Sequence, residues 1–501
     1  MTAPAMDPGR ERREAAAGAG LASFGVLLSG VLNLLLLAVL TRTLSRPEFA
    51  LFSQVYLIQD TIGAILPLGL PAALAYFVPR AEAGHGRALG FWTGGLLGLL
   101  AIPAALVLIG VAPWVASDPE AIRVVRLLGL YVLADLPGQA LPAYLLARRA
   151  YRGFFGVTLA FTVSRLLSLA IPALLGATMG TLMAWFLTVA ALRLILFLWY
   201  FLFVAEGSLS AATVRPGRLF GMGFPLSLTA IVGKLNLKAD QYGVWAAAGK
   251  EKLAVYSVGA VELPLVSSLA YSVTNALVPT LTVAHAGEDR EGFLRLWHGS
   301  VEKVASIMMP VFIFFLALAE PAIRVLFSAE FSEAAIPFRI YLFLLPLRLC
   351  GYGSVLRALG ETRPILTASL AALLVNAVLI FPLYYAMGIA GPALASNVAQ
   401  VVAIAILLSR IRFHLGLPWG RIMPFGRLGR AVLVAALAGL PLIAVSRLVP
   451  GDVNQLLAGG AVMVPLYLWA ARRTGIITAG DLSYVGRLLS LRSLWERRVP
   501  R

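Results

Sequence analysis

Lys234 and Lys238 stand four residues apart in an apolar stretch, and Gln241 continues their stripe, so a helix here stacks both ammonium groups on one face. Asn236 and Asp240 form a second stripe on roughly the opposite face. Two lysines one turn apart repel each other, and the arrangement asks for an anion nearby. It makes a good cradle for a diphosphate, which a compact ammonium serves as a point charge. The other reading is neutralisation from within, by Asp60, Glu262 or a backbone carbonyl. Further ionisable residues sit deep in apolar sequence: Arg165, Arg193 and Arg348, with Asp60, Asp135, Asp240 and Glu262. At bilayer depth such groups cost a few kcal/mol each and face a cavity or a partner. Arg165 and Arg193 are expected to snorkel or to bond a neighbouring helix. Asp135 precedes Leu136-Pro137-Gly138, so it either meets a substrate or satisfies backbone freed by the proline. Asp240 either pairs with Arg42 at the outer end of the helices or acts in ion coupling, and Asp60 and Glu262 join it as coupling or gate candidates.

Other chemistries are missing from the sequence. There is no Gly-x-x-x-x-Gly-Lys-Ser/Thr loop for ATP phosphates. The histidines, His85, His285, His298 and His414, carry no His-Glu-x-x-His spacing, and no Ser-His-Asp arrangement is suggested. The single cysteine, Cys350, lies in apolar sequence and reads as a small core residue. No catalytic residue, cofactor or metal is therefore assigned.

The elements that must hold these residues are membrane spans. A bilayer span needs about 20 residues of helix, and about fourteen apolar stretches of that kind fill most of the 501 residues. We place them at 15–41, 47–77, 88–111, 122–147, 154–176, 179–204, 218–248, 254–284, 303–327, 335–358, 364–387, 390–409, 430–447 and 454–471. The chain is 60% hydrophobic and 13% charged, against about 25% charged in soluble domains, which excludes a multi-domain soluble enzyme. The first run is too long for a signal-peptide core and reads as a retained span. The fold class is thus an all-α polytopic membrane protein.

Charge distribution orients it. With the N-terminus inside, roughly 27 of the 41 basic residues fall in the tails and alternate loops of that side, and roughly five in the opposite loops. Both termini are expected in the cytoplasm. The formal charge of +17 follows this loop pattern, which argues against a nucleic-acid partner. The basic tail Arg487 to Arg501 reads as an anchor on anionic lipid or as a partner-binding segment.

The chain also matches itself. At an offset of 204, Ser45-Arg46-Pro47-Glu48-Phe49-Ala50-Leu51-Phe52-Ser53 aligns with Gly249-Lys250-Glu251-Lys252-Leu253-Ala254-Val255-Tyr256-Ser257. At an offset of 210–211, Pro172 aligns with Pro382 and Gly180-Thr181-Leu182-Met183-Ala184 with Gly391-Pro392-Ala393-Leu394-Ala395. Spans 1–6 then correspond to spans 7–12. The expected organisation is a tail 1–14, an N-lobe 15–204, a linker 205–217, a C-lobe 218–409, a basic loop 410–429, two appended helices in 430–471 and a basic tail 472–501. Two parallel six-helix lobes with a site between them is a transporter design, worked by alternating access.

At these same junctions the chain resembles the polysaccharide exporters, or O-antigen flippases, of the MOP (MATE-like) superfamily. The resemblance is carried by Thr41-Arg42-Thr43-Leu44 with Glu48-Phe49-Ala50-Leu51-Phe52, by Leu68-Gly69-Leu70-Pro71 with Val78-Pro79-Arg80, and by Phe224-Pro225, Ala239-Asp240 and Tyr256-Ser257. Glu320-Pro321-Ala322-Ile323 with Leu326-Phe327, Leu359-Gly360-Glu361-Thr362-Arg363 and Gly388-Ile389-Ala390-Gly391-Pro392-Ala393 continue it to about residue 410. Gln241 stands where that pattern has a basic residue, Ser328 where it has glycine, and Ala50 and Ala254 where it has the junction glycine. The resemblance implies a flippase that carries a polyprenyl-diphosphate-linked oligosaccharide across the bacterial inner membrane, with membrane lipid and polysaccharide assembly proteins as its other partners. Lys234, Lys238, Arg42 and Arg348 would line its cavity. Two alternatives stay open: a cation-coupled multidrug antiporter of the same superfamily, and a membrane-embedded glycan polymerase or ligase.

Overall fold

The computed structural model describes residues 8–82, 84–115, 118–210, 215–261 and 263–478, with backbone alone for 8–24, 26, 115, 226, 264–272, 274 and 275. The described residues are helical almost throughout. In chain order the helices are α1 (Pro8–Thr43), α2 (Arg46–Ile65), α3 (Leu70–Phe77), α4 (Gly86–Val115), α5 (Pro119–Gly138), α6 (Ala140–Ala147), α7 (Tyr151–Leu174), α8 (Met179–Trp199) and α9 (Pro216–Gly259). There follow α10 (Pro264–Ala286), α11 (Arg290–Ala317), α12 (Ala319–Phe327), α13 (Ala335–Leu342), α14 (Leu344–Leu347), α15 (Tyr352–Ala358), α16 (Arg363–Met387) and α17 (Ala390–Leu415). The last four are α18 (Trp419–Ile422), α19 (Phe425–Gly439), α20 (Pro441–Leu448) and α21 (Asp452–Arg473).

Eleven helical stretches among the described residues are long and apolar enough to cross a membrane. They coincide with eleven of the fourteen expected spans. The other three, 15–41, 218–248 and 254–284, fall on α1, α9 and α10. The apolar runs of α1 and α10 are shorter over their described residues, Leu27–Thr43 and Ala276–Ala286, and α9 carries Lys234, Lys238 and Asp240 at mid-length. Two spans differ from expectation: the eighth, expected from 254, begins with α10 at Pro264 because α9 runs on to Gly259, and the ninth differs at both ends. The ninth span starts at Arg290 rather than 303, because Asp289 caps it by accepting from the Gly292 amide at 2.8 Å, and it breaks at Leu318 (φ −110°, ψ 30°).

The chain divides into two compact units, Met1–Ser268 with Ser369–Ala399, and Leu269–Ala368 with Gln400–Arg501. In the first unit, α4, α5 and α8 pack tightly, and a side chain at Gly94 would lie 2.1 Å from the Phe197 ring of α8. Arg87 at the start of α4 closes the far end of α8. Its guanidinium donates to the carbonyls of Phe201 (2.7 Å), Leu202 (2.9 Å) and Gly207 (2.9 Å), groups that a helix end leaves without partners. In the second unit the fully buried Trp297 of α11 donates to Cys350 Sγ at 3.5 Å. The final helices lie on this unit through Leu318, Leu442 and Met463, and Tyr467 donates to the Ser306 carbonyl at 2.6 Å.

The self-matching segments share backbone behaviour. Ser45 interrupts the helix between α1 and α2 with an extended ψ of 159°, and its counterpart Gly249 interrupts α9 (φ 79°, ψ −177°). Gly180 and Gly391 each occupy the second residue of a helix, α8 and α17.

Candidate functional site

Asp60 lies in the last two turns of α2, a helix that starts at Ser45, whose amide donates to Glu48 Oε2 at 2.9 Å. That helix packs along α9, since its buried face (Phe49, Phe52, Val55, Leu57) is apolar. The packing brings Asp60 between the two lysines. Asp60 Oδ2 accepts from Lys234 Nζ at 2.7 Å and from Lys238 Nζ at 3.2 Å. Lys238 Nζ also donates to Gln241 Oε1 at 3.4 Å. Of the two readings of the lysine pair, the structure shows neutralisation from within, and only by half: two cations share one carboxylate. The triad keeps one net positive charge, and its side chains keep 17–28% of their surface open.

Asp240, on the other stripe, is fully buried. Its Oδ2 accepts from the Tyr256 hydroxyl (2.8 Å) and the Ser396 hydroxyl (2.9 Å), and its Oδ1 from the Gln241 amide (2.7 Å). Asn376 Nδ2 donates to Asn236 Oδ1 at 3.2 Å and to Ser396 Oγ at 3.3 Å. This cluster ties α9 to α16 and α17 and joins the two segments of α9 across the Gly249 break. Tyr256 falls in the self-matching segment and in the Tyr256-Ser257 motif, but Asn376 and Ser396 are not singled out by the sequence; their only signal is an uncharged polar side chain in an apolar helix.

The first unit also holds a half-open cavity of about 600 Å³ bounded by α1, α2, α3 and α5 to α8. Asp60 is on its wall, with Gln59, Asp135, Arg165 and Arg193. Arg193 bonds its neighbour as expected, Nη1 to Asp135 Oδ1 at 2.7 Å, and Gln139 Nε2 donates to the other carboxylate oxygen at 3.3 Å. Asp135 therefore serves a side-chain ion pair, not the backbone around Pro137. Arg165 does not snorkel. Its guanidinium lies against the rings of Tyr56 (5.1 Å) and Phe186 (5.5 Å) at the cavity.

The remaining candidates are dispersed. Arg42 is exposed in the last turn of α1. Arg348 is half-buried at the end of α14 in the second unit. Glu262 lies outside the described residues.

The model of a family described as polysaccharide biosynthesis protein matches residues 39–336, more than half of the 501-residue chain. The chain belongs to this family. No curated protein is significantly similar to it. Among solved structures, this polysaccharide biosynthesis family member is similar to the lipid II flippase MurJ in an inward closed conformation, with a TM-score of 0.65, 15% identity, and coverage of 90% of this chain and 97% of that one. It is also similar to the MATE multidrug transporter DinF-BH (TM-score 0.57, 15% identity, 81% and 97% covered). A MOP superfamily transporter from Pyrococcus furiosus gives a TM-score of 0.56 at 13% identity, with 83% and 96% covered. At such identities the likeness establishes the fold alone, one shared with these transporters, and with the eleven long apolar helices it makes the chain a multi-pass membrane protein. The stretch that the family model covers contains Asp60, Lys234, Lys238 and Asp240.

What the triad can do chemically follows from its charge. An ammonium on a shared carboxylate oxygen can exchange that oxygen for one on an arriving phosphate, and charge-assisted bonds of this kind are about twice as strong as neutral ones. The partial exposure of all three side chains leaves room for that exchange.

Proposed function

We propose that this protein is a flippase that moves a polyprenyl-diphosphate-linked oligosaccharide from the cytoplasmic to the outer leaflet of the bacterial inner membrane by alternating access. Both termini then lie in the cytoplasm. One observation carries the reading: Lys234 and Lys238 stand together, half-neutralised and partly open, on one carboxylate of a polysaccharide biosynthesis family member. A diphosphate cannot cross about 30 Å of hydrocarbon unaided. In the empty protein Asp60 holds the two ammonium groups in place. When the headgroup arrives, its phosphate oxygens replace Asp60, and the sugars follow while the lipid tail stays in the bilayer.

Arg42 and Arg348 supply further positive charge along the route, and Asp240 and Glu262 are the groups through which an ion would be coupled. No bond is made or broken in the substrate, so the protein is a transporter rather than an enzyme. Polysaccharide assembly proteins supply and take over the glycan. The multidrug-antiporter alternative shares the fold, but the family match favours glycan cargo, and an antiporter for cations would not keep net positive charge at its central pair.

Replacing Lys234 and Lys238 together with alanine tests the reading. Glycan export should stop, with lipid-linked oligosaccharide accumulating on the cytoplasmic side, while the protein still inserts. Normal export by the double variant would refute it.

A further inference from the structure

We propose that the cavity inside the first unit is a binding site for an acidic sugar, and that Arg165 receives its carboxylate. The proposal rests on the flippase reading for its biological meaning and narrows the cargo to glycans that contain a uronic acid. A volume of about 600 Å³ falls within the range of small-molecule sites, about 300–1,000 Å³. The walls decide what kind of molecule fits it.

Arg165 Nε and Nη2 are both buried and have no hydrogen-bond partner among the described residues. These two atoms form one edge of the guanidinium, the edge that grips a planar carboxylate with two parallel bonds. The guanidinium carbon lies over the Tyr56 and Phe186 rings at 5.1 and 5.5 Å, which hold the group at the cavity wall with this edge buried and without a partner among the described residues. Arg193 repeats the pattern more weakly: Nη1 is bonded to Asp135, but Nε is buried without a partner. Asp60, the other carboxylate on the wall, is engaged by the two lysines. Buried donors of this kind are normally satisfied. An anion in the cavity would satisfy them.

A bare oxyanion leaves one group unexplained. Gln59 Oε1, on the same wall, is a buried acceptor without a donor. Carboxylates and fully ionised phosphates have no proton to give it, whereas a sugar hydroxyl does. Orphaned donors and an orphaned acceptor on one cavity wall match a hydroxylated acid better than any single ion.

The test is binding of sodium glucuronate to the full-length protein in nanodiscs, by titration calorimetry at fixed ionic strength, with glucose and inorganic phosphate as parallel probes. Saturable glucuronate binding is expected, with glucose and phosphate much weaker. Arg165→Gln should weaken it by about tenfold or more, the size of a lost charge-assisted pair, and Arg165→Lys should not restore it, because an ammonium presents no fork. Gln59→Leu, which leaves every charge in place, should weaken glucuronate binding without creating affinity for glucose. Absence of glucuronate binding, equal binding in Arg165→Gln, or phosphate binding as tight as glucuronate would each overturn the proposal. No transport step enters the measurement. A protein that binds glucuronate but does not move lipid-linked glycan would refute the flippase reading and leave this site standing; one that moves glycan but ignores glucuronate would do the reverse.

Discussion

Asp60 decides how the lysine pair behaves. Removing one partner of a fully buried ion pair costs about 3–5 kcal/mol, but these side chains keep 17–28% of their surface. Asp60→Asn should therefore cost about 1–3 kcal/mol, seen as a lower Tm, and the loss should be smaller in phosphate than in chloride at matched ionic strength. Equal losses in both salts would show that the freed lysines do not take phosphate. Ser328 is the opposite case, a residue the fold tolerates badly. It adopts φ 95°, ψ 158°, a region essentially reserved for glycine that costs other residues about 1–3 kcal/mol, and its buried hydroxyl finds no partner among the described residues. Ser328→Gly should raise stability by roughly that amount; an unchanged or lower Tm would mean the strain is absent. Sequence already marked Ser328 as a departure from the glycine of related exporters, without the backbone reason. The spacing alone places Lys234 and Lys238 on one face, but it leaves two candidate counter-ions and a backbone carbonyl as partners, and only the seating of α2 on α9 selects Asp60.

Helices meet here through contacts that periodicity does not reveal. Gly69 joins α2 to α3 with φ +75°, and a Cβ built on it would stand 2.0 Å from the carbonyl oxygen of Gly223 in α9. Backbone touches backbone there, as small residues in membrane helices allow. Gly69→Ala must both strain the turn and push α3 away from the helix that carries the lysines. We expect a loss of more than about 3 kcal/mol, larger than ordinary left-handed strain of about 1–2 kcal/mol, whereas Gly110→Ala, with open space around it, should be nearly neutral. Similar Tm values for the two variants would contradict the close approach. The extent of the apolar stretches was readable, and so were the matching breaks at Ser45 and Gly249. The cavity was not. Arg165 and Arg193 stand on different helices from Gln59 and Asp135, and their convergence depends on how α2, α5, α7 and α8 turn their faces, which hydropathy leaves free.

Across the whole molecule, the flippase reading raises the question of what gives transport its direction, and the sequence carries no Gly-x-x-x-x-Gly-Lys-Ser/Thr loop. Membrane potential is sufficient in size. A charge crossing 100 mV exchanges about 2.3 kcal/mol, so a diphosphate carrying two negative charges outward from an inside-negative compartment gains about 4.6 kcal/mol. The triad complicates this in a measurable way. Should its single net positive charge travel with the headgroup, the moving charge falls to −1 and the gain to about 2.3 kcal/mol per 100 mV. Proteoliposomes with a potassium diffusion potential separate the two cases. The steady-state ratio of lipid-linked glycan between leaflets should rise with inside-negative potential and relax when valinomycin and equal potassium discharge it, and the steepness of the rise counts the charges moved. Asp60→Asn adds one positive charge to the triad and should abolish the rise if the triad travels, since the moving charge then becomes zero, but leave it unchanged if the triad stays fixed. A ratio indifferent to potential would remove voltage as the driving force and leave ion coupling, for which the buried Asp240 cluster is the site to test.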